Sequence, residues 1–116
     1  MFRSRPEKEN NMNGDNIAVR KAANAIVLGL NKEGYFPSVR ECLDGVGINV
    51  RFTNGYGADI VCHSGSYGGK RGLWELAVLR GKKIVYDTPI TNDVLGWLSE
   101  REVLQAVKGI EALPGA

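Results

Sequence analysis

ADIVCHSGSYGGKRGLWELAVLRGKKIVYDT, residues Ala58 to Thr88, decides the fold. Ala58 to His63 is apolar except for Asp59 and runs into a turn-rich segment, Ser64 to Gly72. Leu73 to Leu79 then carries apolar side chains on both faces, Trp74, Leu76 and Val78 alternating with Leu73, Ala77 and Leu79. A strand apolar on both faces belongs in the middle of a sheet. Glu75 is its one polar residue and interrupts the Leu73 face, so that face is expected to be covered only in part. Arg80-Gly81 supplies a tight turn, where glycine takes a positive φ without steric cost, and Lys82 to Tyr86 returns as the partner strand. Upstream, Asn54-Gly55 joins Ile48–Thr53 to the strand that begins at Tyr56, a strong hairpin signal. The spacing predicts a four-stranded antiparallel meander.

Two helices are expected before the sheet and one after it. Asp15 or Asn16 can cap a helix from Ile17 to Lys32 whose stripe is Ala18, Ala22, Ala25, Ile26 and Leu30, and Gly34 ends it. Ser38 and Glu41 have the S-x-x-E spacing of a capping box, which predicts a short second helix turning Val39, Cys42 and Leu43 inward. Pro89 bars a strand from Asp87 to Leu98, so that segment reads as a loop folding Ile90, Val94, Leu95, Trp97 and Leu98 onto the core. Ser99 and Glu102 repeat the capping-box spacing, and Val103, Leu104, Val107 and Ile110 give the following helix a buried face as far as Glu111. The expected fold class is α+β, one domain over residues 16–116 with the helices on the sheet. Residues 1–15 are polar and show no apolar period, so they are expected to form a disordered tail, and Met12 is a candidate natural start.

With 116 residues and 43% hydrophobic content, the chain has the composition of a soluble domain able to bury one core. Cys42 and Cys62 are too few and too widely separated for a disulfide framework, and no apolar run approaches a membrane span. A cytoplasmic location, without membrane attachment, is the expectation. Net charge is only +2, yet it is unevenly spread: +4 over residues 63–83 and −3 over residues 84–116. Such a field can steer an anionic partner.

The chemistry-bearing residues do not complete a catalytic motif. Ser64 to Gly72 has the glycines and lysine of a phosphate-cradling loop, but Ser64 stands where the first glycine belongs and Arg71 where a hydroxyl would bind magnesium. His63, the one histidine, has Cys62 as its neighbour, and adjacent strand residues point to opposite faces. One histidine and two separated cysteines fall short of a zinc site. No cofactor, metal or catalytic residue is therefore assigned, and the chain reads as non-enzymatic, with a small hydrolase or nuclease relying on His63 as the remaining enzymatic option. A long loop on rigid strands is a common place for binding. The candidate contact residues are Ser64, Ser66, Tyr67, Lys70 and Arg71 of the loop, together with Arg80, Lys82 and Lys83 of the basic turn. Trp74 and Trp97 are assigned to the core.

Two resemblances bear on function. His63, Gly65, Ser66, Tyr67, Gly68, Gly72, Leu73, Glu75 and Val78, followed by Asp93, Val94, Gly96, Trp97 and Leu98, resemble short uncharacterised proteins carried by bacteriophages and prophages. That resemblance implies a phage or mobile-element setting and a bacterial cytoplasm. Joined to the loop and the basic turn, it leads to the expectation of an accessory protein that binds a host or phage macromolecule, such as an inhibitor of a host defence or regulatory complex. Over a shorter span, Gly34, Tyr35, Pro37, Ser38, Val39, Arg40, Glu41 and Gly47 resemble the second helix of the helix-turn-helix in LexA-type and GntR-type repressors. It implies the alternative, a DNA-binding regulator using residues 17–46, although no recognition helix follows Gly47. A host or phage protein is the expected partner, with nucleic acid and a homodimer as the further options.

Overall fold

The computed structural model describes residues 8–116. Helix α1 (Lys8–Lys32) is followed by strands β1 (Ser38–Cys42), β2 (Gly45–Arg51) and β3 (Tyr56–Cys62), a single 3-10 turn (Gly69–Arg71), strands β4 (Trp74–Arg80), β5 (Lys83–Ile84) and β6 (Leu95–Leu98), and helix α2 (Glu100–Glu111). All six strands form one antiparallel sheet in the order β1-β2-β3-β4-β5, and β6 also pairs with β4. The class is α+β, as the pattern predicts, but with six strands rather than four and one N-terminal helix rather than two.

The four expected strands are present, and the Asn54-Gly55 turn joins β2 to β3 with Gly55 at φ 91°. Asn54 does more than turn the chain. Its side-chain oxygen accepts the Tyr56 N–H, and its amide donates to the carbonyls of Ile110, Glu111 and Leu113 at 2.9–3.2 Å. One turn residue thereby satisfies the open carbonyl end of α2 and fixes that helix to the sheet.

The residues expected to form the Ser38 helix form β1 instead. Ser38, Arg40 and Cys42 face one side of the sheet and Val39 and Glu41 the other, in register with β2 from Ser38 opposite Asn49 to Cys42 opposite Gly45. Only a few residues separate Ser38 from Gly45 and Gly47, and so short a helix cannot offset its nucleation cost without strong packing. The β2 edge offers a full ladder of backbone partners instead. Residues 17–46 therefore do not form a helix-turn-helix. Ser99 and Glu102 do make the reciprocal capping box, and α2 follows through Glu111.

Helix α1 starts at Lys8, before the expected Ile17, and residues 1–7 of the expected tail lie outside the described residues. Its buried stripe is Ala23, Ile26 and Leu30, whereas Ala18 and Ala25 are exposed. Gly34 ends the helix at φ 90°, with Gly34 N–H bonded to Asn31 and Tyr35 N–H to Leu30, the paired bonds of a Schellman stop. Gly29 lets the helices approach closely, because a methyl group there would press on Leu104 of α2.

Both helices cover one sheet face. Val46, Ile48, Val50, Ala58, Ile60, Cys62, Trp74, Leu76 and Val78 alternate onto that face and bury against Ala23, Ile26, Leu30, Val103, Val107 and Ile110. The other face is roofed by side chains of its own strands. Arg40 lies across Gly47 and forms a paired bond with Asp59 at 2.9 and 3.1 Å, while Arg51 lies across Gly57 to the Gly81 carbonyl. Beneath this cover Val61, Ala77 and Leu79 are buried, with no second layer among the described residues. Glu75 does not leave its face open in the way its polarity suggests.

Candidate binding surface

One end of the sheet gathers the unusual features. It comprises the β1–β2 turn at Leu43 and Asp44, the connection from His63 to Leu73, and the end of β6. The connection is firmly built. His63 N–H donates to Ser66 Oγ at 3.0 Å, while Ser66 N–H and Oγ both donate to the His63 carbonyl. Gly65 N–H donates to His63 Nδ1 at 3.0 Å, and Gly69 N–H donates to the Ser66 carbonyl. Leu73 N–H and Arg71 N–H both reach the Gly68 carbonyl.

External braces hold the loop on both sides. Ser64 N–H donates to Asp44 Oδ1 at 2.9 Å, tying the loop to the β1–β2 turn and holding the Asp44 carboxyl below its ordinary pKa. Tyr67 N–H donates to Glu75 Oε1 at 2.9 Å, and Trp97 N–H donates to the Tyr67 carbonyl. The glycines serve contact rather than looseness. A methyl group at Gly69 would collide with the His63 carbonyl oxygen, and one at Gly68 would strike Trp97 and Leu73.

This arrangement divides the expected contact residues. Tyr67 is 59% exposed, and Ser64, Lys70 and Arg71 are exposed on the same loop. Ser66 is only 9% exposed and holds the loop together, so its hydroxyl faces inward rather than toward a ligand. The basic turn is not beside the loop. Tyr56 pairs with Arg80 at one end of the β3–β4 ladder and Val61 with Glu75 at the other, so Arg80, Lys82 and Lys83 lie about 20 Å away along the strand. Successive turns of a meander alternate between sheet ends, which makes this separation a consequence of the topology. Arg80 is also engaged: it donates to Tyr56 Oη at 3.1 Å, lies 5.4 Å from that ring's centre, and pairs with Asp87 at 3.6 Å. Tyr56 holds its guanidinium above the ordinary pKa.

Two residues absent from the expected set complete the surface. Trp97, expected in the core, is 57% exposed and lies against the loop beside Tyr67. The register irregularity between β6 and β4 turns Leu95 and Leu98 toward the core and leaves Trp97 outside. Leu43 is 84% exposed at the tip of the β1–β2 turn. Asp44-Gly45, directly after Leu43, is a turn dipeptide that could have marked that position, whereas Trp97 sits between apolar neighbours that give no local signal. Trp74 is buried as expected, although its indole N–H has no hydrogen-bond partner among the described residues.

A cavity of about 760 Å³ opens between α1 and the loop, lined by Ala18, Val19, Asp44, His63, Lys70 and Arg71 among others. Cys62 also borders it, with its thiol directed to the Gly69 carbonyl at 3.7 Å and its pKa pushed up by burial, which disfavours a nucleophilic thiolate. His63 already accepts a backbone N–H on Nδ1. Among the described residues no group of His, Cys, Asp and Glu is arranged to hold a metal ion, and no helix is long and apolar enough to cross a membrane. No family model, no curated protein and no solved structure matches the chain.

Proposed function

We propose that this chain is a non-enzymatic accessory protein of phage or mobile-element type, working in a bacterial host by binding a host or phage macromolecule through the loop end of its sheet. The observation that carries the binding part of this reading is the side-by-side exposure of Tyr67, on a loop whose backbone is pinned from both sides, and Trp97 of β6, with Lys70 and Arg71 exposed on the same loop. Trp, Tyr and Arg are the side chains that concentrate energy at interfaces, and a preorganised loop loses little conformational freedom on binding. Inhibition of a host defence or regulatory complex suits a small module that blocks by occupying a surface.

Affinity capture from host lysate tests the reading, comparing wild type with Tyr67→Ala/Arg71→Glu and with Lys82→Glu/Lys83→Glu at the far end. The expected outcome is a partner lost from the first variant and retained by the second. Identical captured proteins in all three samples would remove the proposal.

A further inference from the structure

We infer that Leu43 and Trp97 are the apolar anchors of this surface, and that they hold a protein presenting apolar pockets flanked by carboxylates. The inference rests on the sheet end being the partner surface, and assigns residues and a partner class to it. Among the described residues, Leu43 at φ 55° and Trp97 at φ 58° are the non-glycine residues with positive φ. There an L-residue brings its Cβ against the carbonyl oxygen that follows, a strain glycine escapes. Both positions nevertheless carry large apolar side chains that are mostly in water, 84% and 57% exposed. Folding gains little from either. Strained backbone held at such positions clusters at functional sites, and these two lie at one sheet end, on either side of the loop. Leu43 is linked to the loop through Asp44 and Ser64, and Trp97 through Tyr67.

Side-chain chemistry decides the class of partner. Trp97 and Tyr67 could stack on bases or fill pockets, whereas the aliphatic Leu43 has no π face and fits an apolar pocket. The charge of this end argues the same way. Lys70 and Arg71 are two cations, too few for the series of phosphate contacts that drives binding to a nucleic-acid backbone. The carboxylates of Asp44 and Glu75 are turned back onto backbone donors, of Ser64 and Tyr67, which leaves Lys70 and Arg71 as the outward charges. Carboxylates on a protein partner complement them, and the cavity beside them can receive part of that partner.

A benzophenone amino acid placed in the full chain at Leu43, Trp97, Tyr67 or Arg71, or at Lys83 on the far end, tests this in bacterial cells. The expected result is one protein, different from this chain, crosslinked from both Leu43 and Trp97 but not from Lys83, through segments containing Asp or Glu. Its capture should fall about tenfold or more in the double variant Leu43→Gly/Trp97→Gly, while the thermal midpoint does not fall. A second double variant, Leu43→Asn/Trp97→Asn, also tolerates the left-handed backbone. If both variants unfold below wild type, the side chains are structural and the inference is overturned. Crosslinks solely between copies of this chain overturn it too, as does a fluorescent oligothymidylate or duplex that binds wild type and not the variants. Crosslinking from Tyr67 and Arg71 but not from Leu43 and Trp97 would leave the surface standing and remove the anchors. No crosslink from any of the four would remove both.

Discussion

Replacing Ser66 by Ala should destabilise the fold without touching the exposed surface. The Ser66 hydroxyl accepts the His63 N–H at 3.0 Å and donates to the His63 carbonyl at 2.9 Å. Alanine removes both bonds but keeps the Cβ, so the void is no larger than a hydroxyl. The His63 carbonyl stays satisfied by the Ser66 N–H at 3.0 Å. The His63 N–H loses its partner beside a side chain only 9% exposed, where water has poor access. A buried donor left unsatisfied costs about 1–3 kcal/mol, and that term dominates. For a domain of this size the midpoint shifts on the order of 5 °C per kcal/mol, so a fall of roughly 5–15 °C is expected. Calorimetry and urea denaturation both read it. Ser64→Ala is the internal control, because Ser64 braces the loop through its backbone N–H and should stay within about 0.5 kcal/mol of wild type. Equal midpoints for the two variants, or rapid amide exchange at His63 in the wild-type protein, would refute the reasoning.

Gly69→Ala should destabilise more than Ser66→Ala, since the new methyl group meets the His63 backbone carbonyl and the loop must rebuild; urea denaturation checks the order. Asn54→Ala should cost about 2–4 kcal/mol, because the turn loses its bond to Tyr56 N–H and α2 loses the donor to three terminal carbonyls; thermal unfolding of the variant measures it. Asp44 has its carboxyl pKa lowered from 3.8 by the Ser64 N–H, so its contribution is fully present above about pH 3.8 and is lost as pH falls through the lower folded value. Asp44→Asn should therefore flatten the decline of the urea midpoint below about pH 4, and a decline equal to wild type would contradict the brace.

Local patterns determine much of this fold. Asn54-Gly55 places a hairpin between two runs of apolar residues, and the doubly apolar Leu73–Leu79 stretch becomes the strand paired on both edges. The S-x-x-E letters occur twice with opposite outcomes. After Ser99 a full amphipathic helix follows and repays its own nucleation; after Ser38 glycines arrive within two turns, and the β2 edge takes the segment. That choice depends on tertiary pairing, which a local window does not contain. Trp97 fails for a related reason. Its neighbours Leu95 and Leu98 are apolar and do pack on the core, but the irregular register leaves the intervening residue outside. Of the candidate contact residues, the loop set was legible as an exposed connection, whereas Ser66 has the composition of a contact residue and the geometry of a brace.

The glycines of the loop invite a reading as looseness, and the geometry argues for the opposite. At Gly69 the backbone runs against the His63 carbonyl, and at Gly68 against Trp97, so the missing side chains allow close packing. Rigidity of this kind separates two tasks within one short segment. Ser66, Gly68 and Gly69 face inward with Asp44 and Glu75 holding the flanks, while Tyr67, Lys70 and Arg71 face out. Substitutions of the inward group should therefore appear first as lost stability. Substitutions of the outward group should leave stability intact and appear first as lost binding, since a loop already ordered before contact keeps most of its interaction energy for the partner.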